Sequence, residues 1–128
     1  MLTPAVTRAL QEIQGNFPEC NQVVREDGEG GAYVILEDVS MGAPYNQSKS
    51  WVGFRITFQY PYSDVYPVFV RGDLSRDGKA VTGEAMSQST FEGRPAIQIS
   101  RRSNKLNPAV DTAALKILKV LTWLKSRP

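Results

Sequence analysis

The sequence predicts a single α+β domain: an N-terminal helix, a four-stranded antiparallel meander, a long irregular segment and a C-terminal helix. Three observations lead there. Val6, Leu10 and Ile13 recur at helical spacing near the start. Val52, Phe54, Ile56 and Phe58 alternate with Trp51, Gly53, Arg55, Thr57 and Gln59, as in a strand with one apolar face. Val110, Ala114, Ile117, Leu118, Leu121 and Leu124 form a stripe at three- and four-residue spacing. A chain of 128 residues fits one domain, 1–128, with one hydrophobic core.

Taken in order, residues 4–14 read as the first helix. Thr3 suits the N-cap, Pro4 the first helical position, and Gly15-Asn16 the stop. Gln22–Glu26 is a short strand ended by the turn-rich run Asp27-Gly28-Glu29-Gly30-Gly31. That glycine run has no Walker lysine and no following helix, so it reads as a hairpin turn and not as a phosphate loop. Tyr33–Val39 is the second strand, residues 51–59 the third, and Val68–Val70 the fourth. Tyr60-Pro61 ends the third strand, because proline cannot donate to the sheet ladder. Residues 72–95 are rich in Gly, Ser, Thr, Asp and Arg without a sustained period, and are expected to be irregular. Ala96–Ser100 re-enters the core. Asn107 then reads as an N-cap and Pro108 as the first position of the last helix, with Lys125 and Arg127 near its end.

Composition excludes several chemistries. There is no histidine, so imidazole bases, Ser-His-Asp and Cys-His pairs and imidazole-built zinc sites are ruled out. Cys20 is the single cysteine, which rules out an internal disulfide and suits a reducing compartment. No cofactor is expected. The opening MLTPAVTRALQEIQ has no long apolar run, and no stretch approaches the ~18 apolar residues of a membrane span. A cytoplasmic protein with no membrane partner is expected. The net charge of +2 is too small to predict a nucleic-acid partner. The aromatics Trp51, Phe54, Phe58, Tyr60, Tyr62, Tyr66 and Phe69 are expected in the core rather than on a base-stacking platform.

Three segments resemble the ubiquitin-conjugating family. Phe54-Arg55-Ile56-Thr57-Phe58-Gln59-Tyr60-Pro61 looks like its third strand running toward Tyr-Pro. Tyr66-Pro67-Val68-Phe69-Val70 is similar to the proline-then-strand element that follows. Ala96-Ile97-Gln98-Ile99, followed by Asn107-Pro108-Ala109, is similar to the active-site strand and the Ser-Pro-Ala helix start. The family's His-Pro-Asn and its cysteine are missing, the cysteine position falling near Gln98, and Cys20 lies at the end of the first helix. The resemblance therefore implies one of two proteins. One is a cysteine-free carrier, like the conjugating-enzyme-like proteins of bacterial ubiquitin-like pathways, which takes a ubiquitin-like protein from an adenylating activating enzyme as an oxyester. The other is a non-catalytic variant or RWD-like adaptor.

Each residue near that position also has a plainer role. Ser100 is the leading hydroxyl nucleophile, with Arg101 and Arg102 beside it to hold an acyl oxygen; otherwise it is a polar strand end. Ser87, Ser89 and Thr90 are alternative hydroxyls where the His-Pro-Asn would sit, or else a solvated loop. Asn104 and Asn107 are candidates for the missing amide, although capping accounts for Asn107. Asp111 is a candidate base, or else a carboxylate favoured by the helix dipole. Arg94, Arg101, Arg102 and Lys105 read as a local basic cluster that would suit an acidic partner surface.

Overall fold

The computed structural model describes residues 1–81 and 83–126. Helix α1 spans Pro4–Asn16. The Thr3 hydroxyl accepts from the Val6 N–H at 3.1 Å, so the predicted cap forms and Pro4 takes the first turn. Val6, Leu10 and Ile13 are buried, together with Ala9. The helix runs on through Gly15 and Asn16 and is capped at Phe17.

Among the described residues eight strands follow: β1 Gln22–Glu26, β2 Ala32–Ser40, β3 Lys49–Ile56, β4 Val68–Arg71, β5 Ser75–Arg76, β6 Lys79–Ala80, β7 Met86–Phe91 and β8 Arg94–Ile99. Helix α2, Ala113–Lys125, comes last. The main sheet has the order β1-β2-β3-β4-β8-β7 with antiparallel pairing throughout, and β5-β6 forms a separate two-stranded ribbon. The architecture is thus α+β with a helix at each end.

Three expectations need correction. The main sheet has six strands, because the segment expected to be irregular folds into two hairpins. Their turns are Asp77-Gly78 and Glu92-Gly93, and all four residues have positive φ. That is the backbone of the two-residue turn whose twist matches antiparallel strands. Next, β3 stops at Ile56. The chain turns there, with the Tyr60 N–H donating to the Thr57 carbonyl, and Phe58 is left exposed outside the core. Finally, the C-terminal helix begins later than predicted. Asn107 closes a separate turn: its side-chain oxygen accepts from the Ala109 N–H, and its N–H donates to Asp111. Val110 is exposed instead of joining the core stripe. The true cap is Thr112, whose hydroxyl accepts from the Leu115 N–H at 3.1 Å. Thr112→Ala is expected to lower the unfolding free energy by about 1 kcal/mol. A urea denaturation midpoint unchanged from wild type would contradict this role. Lys125 lies in the last turn, as expected; Arg127 and Pro128 lie outside the described residues.

Both helices cover one face of the sheet. Val34, Leu36, Val52, Phe54, Ile56, Val68, Val70, Ile97 and Ile99 meet Val6, Ile13, Ile117, Leu121 and Leu124 there. On the opposite face, Ile35, Phe91 and Ala96 form a second buried cluster flanked by Tyr33, Trp51 and Phe69. The tip of the β7–β8 hairpin folds over this second face. The Phe91 ring lies 4.7 Å from that of Phe69 and 6.2 Å from that of Trp51. Two ion pairs clamp the tip: Glu92 with Arg25 at 2.9 Å and Arg94 with Glu37 at 2.7 Å. Of the aromatics expected in the core, Phe54 and Tyr60 are buried. Trp51, Tyr66 and Phe69 are half-buried, and Tyr62 is exposed like Phe58.

Candidate functional site

Strand β8 ends at Ile99, and the chain then crosses exposed Arg101, Arg102, Asn104 and Lys105 before reaching α2. Alternation sets the side chains of β8. Ile97 and Ile99 enter the core, so Ala96 and Gln98 point to the other face. Gln98 pairs in register with Phe69 on one side and Ser87 on the other. Its amide donates to the Ser100 hydroxyl at 3.2 Å, while the Ser100 N–H donates to the Ala85 carbonyl. Gln98, Ser100 and Ser87 therefore share one neighbourhood. Ser89 pairs with Ala96 further along, and Thr90, opposite Pro95, projects to the other side of the strand.

The predicted basic cluster divides in two. Arg94 is at the start of β8, about 17 Å from its end at ~3.3 Å per residue, and is bound to Glu37. The Arg94 guanidinium donates to both Glu37 oxygens and holds that carboxyl below its ordinary pKa, more than offsetting its burial. Arg101 and Arg102 stay at the far end. Arg101 stacks 4.6 Å from the Trp123 ring and Arg102 4.0 Å from the Tyr66 ring. Lys105 is exposed and takes a positive φ in a turn.

Beside this loop is a cleft of about 270 Å³, lined by Arg101, Arg102, Ser103, Asn104, Lys116 and Lys119 among others. Two of these lining residues, Ser103 and Lys116, join Asp64 in a group that the sequence pattern does not reveal. The Lys116 ammonium donates to both Asp64 oxygens, at 3.1 and 3.2 Å, to the Arg101 carbonyl at 2.7 Å and to the Ser103 hydroxyl at 3.2 Å. The Ser103 hydroxyl donates to Asp64 Oδ1 at 2.8 Å, and the Ser103 N–H to Oδ2 at 2.7 Å. Burial alone would raise the Asp64 pKa; the bonds from Ser103 and the charge and hydrogen bond of Lys116 outweigh it and hold the carboxyl low. Lys116 carried a sequence signal: it sits between Ala113 and Val120 at three- and four-residue spacing on the buried face of α2. Asp64 carried none, lying 52 residues away in the loop before β4.

Other features bear on chemistry. Cys20 is buried, and burial, followed by the nearby carboxylates of Glu19 and Asp38, pushes its thiol pKa up, which disfavours the thiolate a nucleophile needs. Asp111 accepts from the Asn107 N–H and faces Lys119 at 3.8 Å, so it braces the turn ahead of α2. A second cleft, of about 440 Å³, opens between the ends of β2 and β4, the start of β3 and the hairpin. Its arginines are neutralised, Arg71 by Asp73 and Arg94 by Glu37. Among the described residues, no group of three or more His, Cys, Asp or Glu could hold a metal, and no helix is long and apolar enough to cross a membrane. No family model matches the chain, and neither a curated protein nor a solved structure matches it.

Proposed function

We propose that the chain is a ubiquitin-conjugating-enzyme-like domain, acting in the cytoplasm of a bacterium, that receives a ubiquitin-like modifier from an adenylating activating enzyme and carries it as a serine oxyester. The observation that carries this reading is the exit of β8. There Gln98, near which the resemblance would put the family's cysteine, hydrogen-bonds Ser100, and the exposed Arg101 and Arg102 follow directly. In the transfer, a serine hydroxyl attacks the acyl carbonyl of the modifier's adenylate. The carbonyl–oxygen bond to AMP breaks, AMP departs, and the hydroxyl proton passes to a base. The arginines face the phosphate and the developing oxyanion.

One observation favours a second reading, a non-catalytic adaptor of the same fold. The Ser100 hydroxyl accepts from an amide, and no carboxylate among the described residues hydrogen-bonds it. Nothing at Ser100 is then placed to take its proton.

The test is to incubate the chain with an activating enzyme, its ubiquitin-like protein and ATP, and to read the intact mass. The expected result is an adduct of one modifier that survives thiol reductant and breaks under mild base. A stable complex without an adduct would establish the adaptor. Neither adduct nor complex would overturn both readings, and steeply salt-dependent binding to RNA or DNA would replace them with a nucleic-acid partner.

A further inference from the structure

We infer that Ser103 is the acyl-accepting hydroxyl of this domain, with Asp64 as its proton acceptor, and that its donors are acyl groups on a phosphate leaving group. The inference rests on the acyl-carrier reading and moves the carrier from Ser100 to Ser103.

Of the two hydroxyls flanking Arg101 and Arg102, Ser103 is the one hydrogen-bonded to a carboxylate, at 2.8 Å. That is the distance at which a proton acceptor activates a nucleophile. The Lys116 ammonium, 3.2 Å from the same oxygen, favours the developing alkoxide. Lys116 is a positioning residue: it grips both Asp64 oxygens and the Arg101 carbonyl, which fixes the loop carrying Ser103. The cluster is desolvated, the Lys116 and Asp64 side chains being 8% and 15% exposed. Ser103 itself is half-buried and opens onto the cleft of about 270 Å³.

The rim of that cleft selects the leaving group. Among the described residues Arg101, Arg102 and Lys119 line it against one carboxylate, Asp111, which faces Lys119 at 3.8 Å. Among the described residues neither arginine forms an ion pair with a carboxylate; each packs on an aromatic ring instead. A cleft of this sign attracts a phosphate. The Ser103 oxygen would attack the acyl carbonyl and the carbonyl–phosphate oxygen bond would break. The phosphate would leave as an anion, with the hydroxyl proton on Asp64 and then in water.

Acetyl phosphate is the smallest probe of this class. Full-length chain would be treated with it at neutral pH, digested and mapped by mass spectrometry. Alkaline hydroxylamine distinguishes a serine ester, which it cleaves, from acetyl-lysine, which it leaves. The expected result is a hydroxylamine-sensitive acetyl group on Ser103, absent in Ser103→Ala and retained in Ser100→Ala. Ser103→Ala keeps the Asp64–Lys116 pair and so tests the nucleophile without removing that charge pair. Removing the proton acceptor in Asp64→Asn/Lys116→Met, a double variant that leaves no unpaired charge, should slow acetylation by about 100-fold or more, with the far-ultraviolet circular dichroism confirming a folded chain. p-Nitrophenyl acetate, whose leaving group carries no phosphate, should label Ser103 more slowly than acetyl phosphate at equal concentration. An ester on Ser100, or on no residue, would overturn the inference. A modifier adduct that persists in Ser103→Ala would overturn it while leaving the carrier function intact. Acetylated Ser103 with neither modifier adduct nor modifier complex would instead remove the proposed function.

Discussion

Asp64→Ala is expected to destabilise the fold by about 3 kcal/mol or more, the range measured when one partner of a buried ion pair is removed. Lys116 sits on the buried face of α2 and would be left with only the Arg101 carbonyl and Ser103 as partners. The loss has two sources: the stranded ammonium, and the freeing of the loop from Ser100 to Asp111, which this cluster ties to the segment before β4. Lys116→Met should lose less, because its stem is replaced by an apolar one and the carboxylate it leaves still accepts two bonds from Ser103. The double variant Asp64→Ala/Lys116→Met should lose less than the sum of the two singles, by about 1–3 kcal/mol for groups in direct contact. The pair also fixes a pH dependence. The Asp64 pKa is lowered in the folded chain, so its contribution is present above the unfolded value, near ~3.9, and disappears as pH falls through the lower folded value. The stability gap between wild type and Lys116→Met, measured by urea denaturation at a series of pH values, should be constant near neutrality and close below about pH 4. A gap that stays constant through that range would mean the pair contributes through packing alone.

Much of this fold was legible, and the rest was hidden for physical reasons. The elements with a buried face announced themselves: α1 through Val6, Leu10 and Ile13, β3 through Val52, Phe54 and Ile56, and α2 through Ile117, Leu121 and Leu124. Strand β7, Met-Ser-Gln-Ser-Thr-Phe, gave no apolar alternation because it is an edge strand with four polar residues between its buried ends. The signal that could have revealed it was turn chemistry, Glu92-Gly93 and Asp77-Gly78, read as loop composition instead of hairpin punctuation. Asn107-Pro108 misled because a capped single turn and a helix start use the same residues; only the second cap, Thr112, decides between them. The candidate site was legible in position and not in detail. Arg101, Arg102 and Asn104, all in the loop after β8, line a cleft, whereas Arg94 belongs to the opposite end of the strand. The hydrogen bond that sets Ser103 apart from Ser100 is to Asp64, a contact across 39 residues that no local pattern encodes.

Phe91→Ala should cost about 3 kcal/mol, the low end for a buried phenylalanine, and its partner Gly53 gives a sharper test of why. The Phe91 ring packs over the sheet at Gly53, which leaves room for it. A Cβ at Gly53 would lie 2.6 Å from Phe91 Cδ2 and 2.7 Å from Cε2, well inside contact distance. Gly53→Ala in the wild-type chain should therefore destabilise by about 1–3 kcal/mol, as overpacking does, even though alanine is the better strand residue. With the ring removed, that penalty should shrink, since the remaining close neighbour is the Trp51 ring edge at 2.9 Å. Phe91→Ala/Gly53→Ala should then be more stable than the sum of the single losses predicts, a coupling readable in thermal or urea denaturation. The coupling locates what holds the β7–β8 hairpin on the sheet. The ion pairs Glu92–Arg25 and Arg94–Glu37 are partly exposed, and such pairs contribute about 1 kcal/mol or less each. The ring is buried and fills the space over Gly53. Strict additivity would shift the hairpin's attachment to the ion pairs, and the same denaturation curves would then move with salt.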